Sequence, residues 1–208
     1  MRSEFDRDLH TMHKELMGMG TSCERAIALA VSSITDSKPE LKEEVQAAEE
    51  DIDRAERNIE ALCMRLLLRQ QPVATDLRNI SAALKMISDL ERVGDYAVDI
   101  AELSPYLAKA QLSGKVHLSE MALAAVDMVK QSVQAFVDGD IRLAARVKEN
   151  DDRVDELFDR VKTEAVALIR DGALDAHAAL DLGMAAKYFE RIGDHAVNAV
   201  SYTHLTLP

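Results

Sequence analysis

The octapeptide Glu91-Arg92-Val93-Gly94-Asp95-Tyr96-Ala97-Val98 returns 99 residues later as Glu190-Arg191-Ile192-Gly193-Asp194-His195-Ala196-Val197, identical at six of eight positions. A chain that writes one acidic signature twice is expected to be two copies of one structural unit. The match extends further: Ile34-Thr35-Asp36 pairs with Phe136-Val137-Asp138, and Glu49-x-x-x-Asp53 with Asp151-x-x-x-Asp155, both at an offset of 102. Each signature sets a glutamate and an aspartate four residues apart. On a helix they stand one above the other and repel unless a cation lies beside them.

The repeated unit reads as helical. Apolar residues make up 48% of the chain and aromatics only 4%, with Ala, Leu, Val and charged residues dominant. This is the make-up of long packed helices rather than of a β-sandwich. The net charge of −12 repels nucleic-acid phosphates and attracts metal cations and basic protein surfaces. Cys23 and Cys63 form no C-x-x-C pair and read as reduced, part-buried thiols. No apolar run approaches the ~20 residues that span a bilayer, and the N-terminus lacks the apolar core of a signal peptide. The expected location is the cytoplasm.

Helical periodicity is nearly continuous, and Pro and Gly punctuate it. Helix 1 is expected over 4–35, with Ser37 a cap and Pro39 in the first turn of helix 2. Helix 2 runs to about Gln70, with a coiled-coil-like seam of Ile52, Ala55, Ile59, Leu62 and Leu66. After Pro72, Thr75 or Asp76 caps helix 3, whose seam is Leu77, Ile80, Leu84, Ile87, Leu90 and Ala97, and Ser104-Pro105 closes it. Residues 105–117 read as a linker. Helix 4 covers about 119–137. Helix 5 covers about 140–170, with Leu143, Val147, Val154, Leu157, Val161 and Leu168 inward, and Gly172 stops it. Helix 6 starts near Asp175. The expected architecture is all-α: two tandem antiparallel three-helix bundles related by pseudo-two-fold symmetry, over 1–107 and 115–201. Residues 202–208 show no helical pattern and read as a truncated or non-native tail.

The acids carry the functional reading. At about 100° per residue, Glu91 falls at the edge of the apolar stripe of helix 3, and Asp95 and Asp99 fan outward from it. Glu49 and Asp53 hold the same edge of helix 2. Consecutive helices pack side by side, so these edges converge on one groove. Asp151, Asp155, Glu190 and Asp194 repeat the arrangement, with Asn198 in the place of the third acid. Carboxylates without His or Cys suit oxygen-preferring cations such as Mg²⁺, Mn²⁺ and Fe³⁺. A single acid pair at this spacing is ordinarily solvated surface, and Arg92 and Arg191 offer simple neutralisation. Four pairs in register with the repeat favour the metal reading. So do Gly94 and Gly193, each costing ~0.8–1.0 kcal/mol against Ala in a helix, although tight helix packing explains a glycine equally well. His10 and His13 read as surface residues, His177 as structural, and His195 as no required ligand because Tyr96 takes its place in the first copy. Met12, Met17, Met19, Met64, Met86 and Met184 read as core filler.

On Leu90–Asp95 with Ala97, Phe189–Ala196, the Arg69-Gln70-Gln71-Pro72-x-x-x-Asp76-Leu77-Arg78 turn and the opening Phe5-Asp6-x-x-Leu9, the chain resembles the PhoU family over almost its whole length. The resemblance implies two three-helix bundles with metal sites at Glu49/Asp53, Glu91/Asp95/Asp99, Asp151/Asp155 and Glu190/Asp194, holding iron, zinc, Mg²⁺ or Mn²⁺. It further implies a dimer that links a phosphate ABC transporter to a sensor histidine kinase and represses the phosphate-starvation response, with peripheral membrane association through the transporter. Asn198 departs from the family pattern, as does the short C-terminal end. Two other readings compete: a di-metal carboxylate oxidase and a metal-free helical interaction module. The first needs Glu-x-x-His pairs, and the sequence contains none.

Overall fold

In a computed structural model, which describes residues 2–70, 72 and 74–203, the apolar stripes close into six long helices. They are α1 (Arg2–Thr35), α2 (Lys42–Gln70), α3 (Ala74–Leu107), α4 (Leu118–Asp138), α5 (Ile141–Arg170) and α6 (Ala176–Thr203). No strand occurs among the described residues. Each half is an antiparallel three-helix unit, α1–α3 and α4–α6. The halves meet where α3 lies along α6 and α1 along α4, and one continuous apolar core runs through both.

Local chemistry sets the boundaries. Gly139 ends α4 in a left-handed conformation (φ 65°), and the Asp140 side chain caps α5 by accepting from the backbone N–H groups of Arg142 and Leu143. Asp175 opens α6 by accepting from the N–H groups of His177 and Ala178. Pro105 does not close α3; it lies inside the last turn. A proline there cannot donate to the carbonyl of Ala101, and the Ser104 hydroxyl donates to that carbonyl instead, at 2.7 Å. The 105–117 linker is correspondingly ordered: a 3₁₀ turn spans Ala108–Ala110, and Leu112 and Val116 are buried. Ser37 is no cap: it adopts φ 56°, and its hydroxyl donates to the carbonyl of Ala108, tying the start of the linker to the turn before α2.

The expected seams hold at most positions. Ile52, Ile59, Leu62 and Leu66 of α2 and Val147, Val154, Leu157 and Val161 of α5 are buried. Leu77 is not: at 46% exposed it lies in the first turn of α3, at the end of the bundle. Met64 and Met184 are likewise half-exposed rather than core filler, whereas Met12, Met19 and Met86 are fully buried. His13 is half-buried, its ring edge-on to Phe136 with centroids 6.1 Å apart, rather than a surface residue. Both cysteines are free and buried, and burial pushes the Cys63 thiol up to about 12. Helix α6 continues through Tyr202 to Thr203, which is buried. The short polar side chains of Ser201 and Thr203 therefore do not stop the helix; the rest of the tail, 204–208, lies outside the described residues, as does part of the Arg69–Pro72 turn.

Candidate metal grooves and the seam between repeats

The mid-helix glycines explain how the acids come together. A Cβ added at Gly94 would lie 3.1 Å from Ile52 Cδ1 and 3.6 Å from Glu49 Cγ. A Cβ added at Gly193 would lie 3.5 Å from Asp151 Oδ1 and 3.6 Å from Val154 Cγ1. Ile52 and Val154 are repeat equivalents, as are Glu49 and Asp151. In both halves, then, the absent side chain on the third helix makes room for an acid and a branched apolar residue from the second. Gly94→Leu is expected to overpack this contact and cost about 1–3 kcal/mol. Gly193→Ala, which meets only ordinary contact distances, is expected to gain up to ~1 kcal/mol of helix propensity and raise the Tm by about 2–4 °C. Thermal unfolding of the two variants checks both signs.

Four carboxylates crowd together in the first groove. Burial raises the pKa of Glu49, and Asp53 and Asp95 raise it further. Burial and Asp95 raise that of Glu91, with Arg92 opposing and Glu56 and Asp53 adding. Asp99 is raised by burial, then by Glu102 and Asp95, and shares a shallow depression with Gln46, Glu49, Arg92, Asp95 and Tyr96. The second groove shows the same crowding. Asp151 is pushed up to about 6, first by burial and then by Asp155, Asp194, Asp152 and Glu190. Burial and Glu190 raise Asp194, while Lys187 and Arg191 oppose.

Basic side chains offset part of this repulsion. Arg92 lies 3.0 Å from Asp95 and 3.8 Å from Glu91, Arg57 lies 3.3 Å from Asp53, and Lys187 lies 2.5 Å from Glu190. Such partly exposed pairs contribute ~0.2–1 kcal/mol each. Among the described residues, no three His, Cys, Asp or Glu side chains form a ready-made ion cage. The residues fit a cation through donor chemistry: an all-oxygen set with excess negative charge, suited to Mg²⁺, Mn²⁺ or Fe³⁺. Glu49, Asp53, Glu91 and Asp95, with Asp99 beside them, would hold it in the first groove, and Asp151, Asp155, Glu190 and Asp194 in the second. Glu56 belongs to the first cluster as well. Its position three residues after Asp53 was legible on the helical wheel, but the repeat places Phe158 opposite it, so a search by repeat passes it over.

Asn198 points elsewhere. Its amide donates to Asp89 at 3.4 Å, across the seam between α3 and α6. Asp89 is 8% exposed and also lies 2.7 Å from His195 Nδ1. Tyr202 is pushed up to about 12, first by burial and then by its own hydrogen bond to Asp89. The pseudo-two-fold relates Asp89 to Tyr188 and His195 to Tyr96. At that second position the two tyrosines stack, with centroids 5.7 Å apart. The seam thus has a polar end and an aromatic end, and Asn198 serves the former. Sequence reasoning missed Asp89; the signal was an acid one residue before a core leucine, on the side of α3 away from α2.

A model of the PhoU domain matches residues 16–104 and again residues 118–203. The phosphate-specific transport system accessory protein PhoU homolog of Deinococcus radiodurans is 33% identical over 199 residues, covering 95% of this chain and 93% of that one. The homolog of the same name from Aquifex aeolicus is 35% identical over 186 residues, covering 89% and 84%. The crystal structure of PhoU from Pseudomonas aeruginosa superimposes with a TM-score of 0.87 at 30% identity, covering 97% of this chain and 98% of that chain. That of the phosphate transport system regulatory protein PhoU from Streptococcus pneumoniae does so with a TM-score of 0.86 at 23% identity, covering 97% and 96%, and bears on the fold alone. The relatives are named as accessory or regulatory proteins, not as enzymes.

Proposed function

The chain belongs to the PhoU family, and from that premise we propose that it is a non-enzymatic regulatory adaptor of phosphate uptake whose two carboxylate grooves hold cations. Its helical surfaces meet the ATPase of a phosphate ABC transporter and a sensor histidine kinase, and the adaptor represses the phosphate-starvation response when phosphate is plentiful. It works as a homodimer on the cytoplasmic side, reaching the membrane through the transporter. Among the described residues no helix is long and apolar enough to cross a bilayer, which accords with attachment through a partner.

The observation that carries the cation half is the crowding of Asp151 by four other carboxylates, matched at the repeat-related Glu49. Folding brings these charges together at a cost. A bound Mg²⁺, Mn²⁺, Fe or Zn ion supplies the neutralising charge and ties the second and third helices of each repeat. Arg92 and Lys187 would have to release the acids they hold. In the variant Glu91→Ala/Asp95→Ala, metal bound in the first groove is expected to be lost while that in the second remains. Elemental analysis of the purified protein after Mn²⁺ loading reads this as about half the wild-type content; unchanged content refutes the assignment.

A further inference from the structure

The two grooves carry matching acids but differ at one edge. In the first, Ser88 lies one turn before Glu91, and its hydroxyl donates to the Glu56 carboxylate of α2. The repeat sets Lys187 in the place of Ser88 and Phe158 in the place of Glu56. The Lys187 ammonium lies 2.5 Å from Glu190 Oε2 and 5.5 Å from the centre of the Phe158 ring. The face of an aromatic ring attracts a cation, so Lys187 is held between a ring of α5 and an acid of α6. Glu190 Oε2 is itself buried and receives no aligned hydrogen bond from any described residue. The ammonium balances its charge without filling its capacity to accept. Lys187 also opposes the upward shift of Asp194, ahead of Arg191. Arg191 and Arg92 are common to both repeats, so Lys187 is the basic residue that sets this edge of the second groove apart. Lys162 lies over the same ring at 4.4 Å but pairs with Asp159 at 2.6 Å, which is not a groove acid.

We propose that Lys187 is a resident cation of the second groove: its ammonium engages a carboxylate that a metal ion needs, so this groove binds metal more weakly than the first and fills after it. The affinity of an oxygen site for a hard cation rises with the number of charged ligands it offers. The first groove offers Glu49, Asp53, Glu56, Glu91, Asp95 and Asp99, with the uncharged Ser88 at its edge. In the second, Phe158 supplies no oxygen, Asn198 is turned to Asp89, and Glu190 must first be freed from Lys187. Two grooves of unequal affinity respond to free cation over a wider range of concentration than two equal ones. The inference rests on the reading of both grooves as cation sites, which the test below checks separately.

The test is a calorimetric titration of the metal-stripped chain with Mn²⁺ at pH 7.5. Wild type is expected to show a tighter and a weaker class of site. The variant Glu91→Ala/Asp95→Ala leaves the second groove alone and is expected to retain the weaker class. In that background Lys187→Met is expected to tighten Mn²⁺ binding about 10–100-fold, whereas Lys187→Arg, which keeps the charge, leaves it weak. In the otherwise wild-type chain, Ser88→Lys is expected to weaken the tighter class toward the weaker one. Ser88 is exposed and Lys187 is 39% exposed, so the circular dichroism of each variant is expected to match its parent. Equal sites in wild type, or Mn²⁺ affinity unchanged or lowered by Lys187→Met, overturns the proposal and leaves the grooves as cation sites. No Mn²⁺ binding in any of these proteins overturns the groove reading itself, and this inference with it.

Discussion

Phe189→Ala is expected to destabilise the chain by about 3–5 kcal/mol, the range for emptying a fully buried aromatic site. Phe189 is 0% exposed and heads the fully buried side chains by volume. It lies in α6, a helix that packs against α3, α4 and α5. For a chain of this length the Tm falls by roughly 10 °C or more. The variant also bears on the groove. Phe189 immediately precedes Glu190, and its burial fixes the rotation of α6 that turns Glu190 and Asp194 toward α5. Cation affinity in the second groove should weaken in the variant while the first is spared. Thermal unfolding with and without Mn²⁺ reads both effects.

The second large effect is the pH dependence of the cation-free protein. Asp151 titrates at about 6 in the folded chain against 3.8 as an ordinary aspartate. The folded state therefore binds its proton more tightly than the unfolded state does. The resulting stabilisation is fully present below about pH 3.8 and is lost as pH rises through about 6. Glu49, Glu91, Asp99 and Asp194 are raised in the same direction. Asp151 is only partly buried, so solvent screening reduces its contribution to on the order of 1 kcal/mol. Asp151→Asn removes the charge and is expected to raise the Tm at pH 7.5 in EDTA, with no gain at pH 4. Equal effects at the two pH values would show that the substitution acts through packing rather than charge.

The grooves are where folding leaves like charges close, and the α3–α6 seam is where the two repeats are held. Asp89, His195 and Asn198 fasten one end of that seam and stacked Tyr96 and Tyr188 the other. The two repeats have thus diverged at the axis while keeping the groove chemistry. A cation bound as proposed between α2 and α3, or between α5 and α6, would act on α3 or α6, the helices that form this seam, which gives a physical route from groove to inter-repeat contact.

Much of this was legible in the residues themselves. The period of Ile52, Ile59, Leu62 and Leu66 placed the core of α2, and the duplicated Glu-x-x-x-Asp pairs placed the grooves. Gly94 and Gly193 pointed to close approach, and the structure names the groups that approach. What periodicity could not supply was relation across the repeats. Asn198 holds the position of Asp99 yet turns to Asp89, an acid that stands where the other repeat has Tyr188. Pro105 read as a stop, since nothing in the pattern of a single helix shows that the Ser104 hydroxyl takes up the carbonyl a proline leaves free. Leu180 and Met184 fit a helical stripe as well as any core residue does; only the end of the bundle shows that no neighbour covers them.

The most direct measurement is the shift in Tm on adding Mn²⁺ at pH 7.5 to metal-stripped protein, for wild type and for Glu49→Gln/Glu91→Gln/Asp151→Asn/Glu190→Gln. A cation that binds only the folded chain stabilises it by mass action, ~2.7 kcal/mol at a hundredfold excess over Kd. The account predicts a rise of several degrees in wild type and none in the neutralised variant, whose Tm in EDTA already exceeds that of wild type. A wild-type Tm indifferent to Mn²⁺, Fe and Zn, or an equal rise in both proteins, would contradict it.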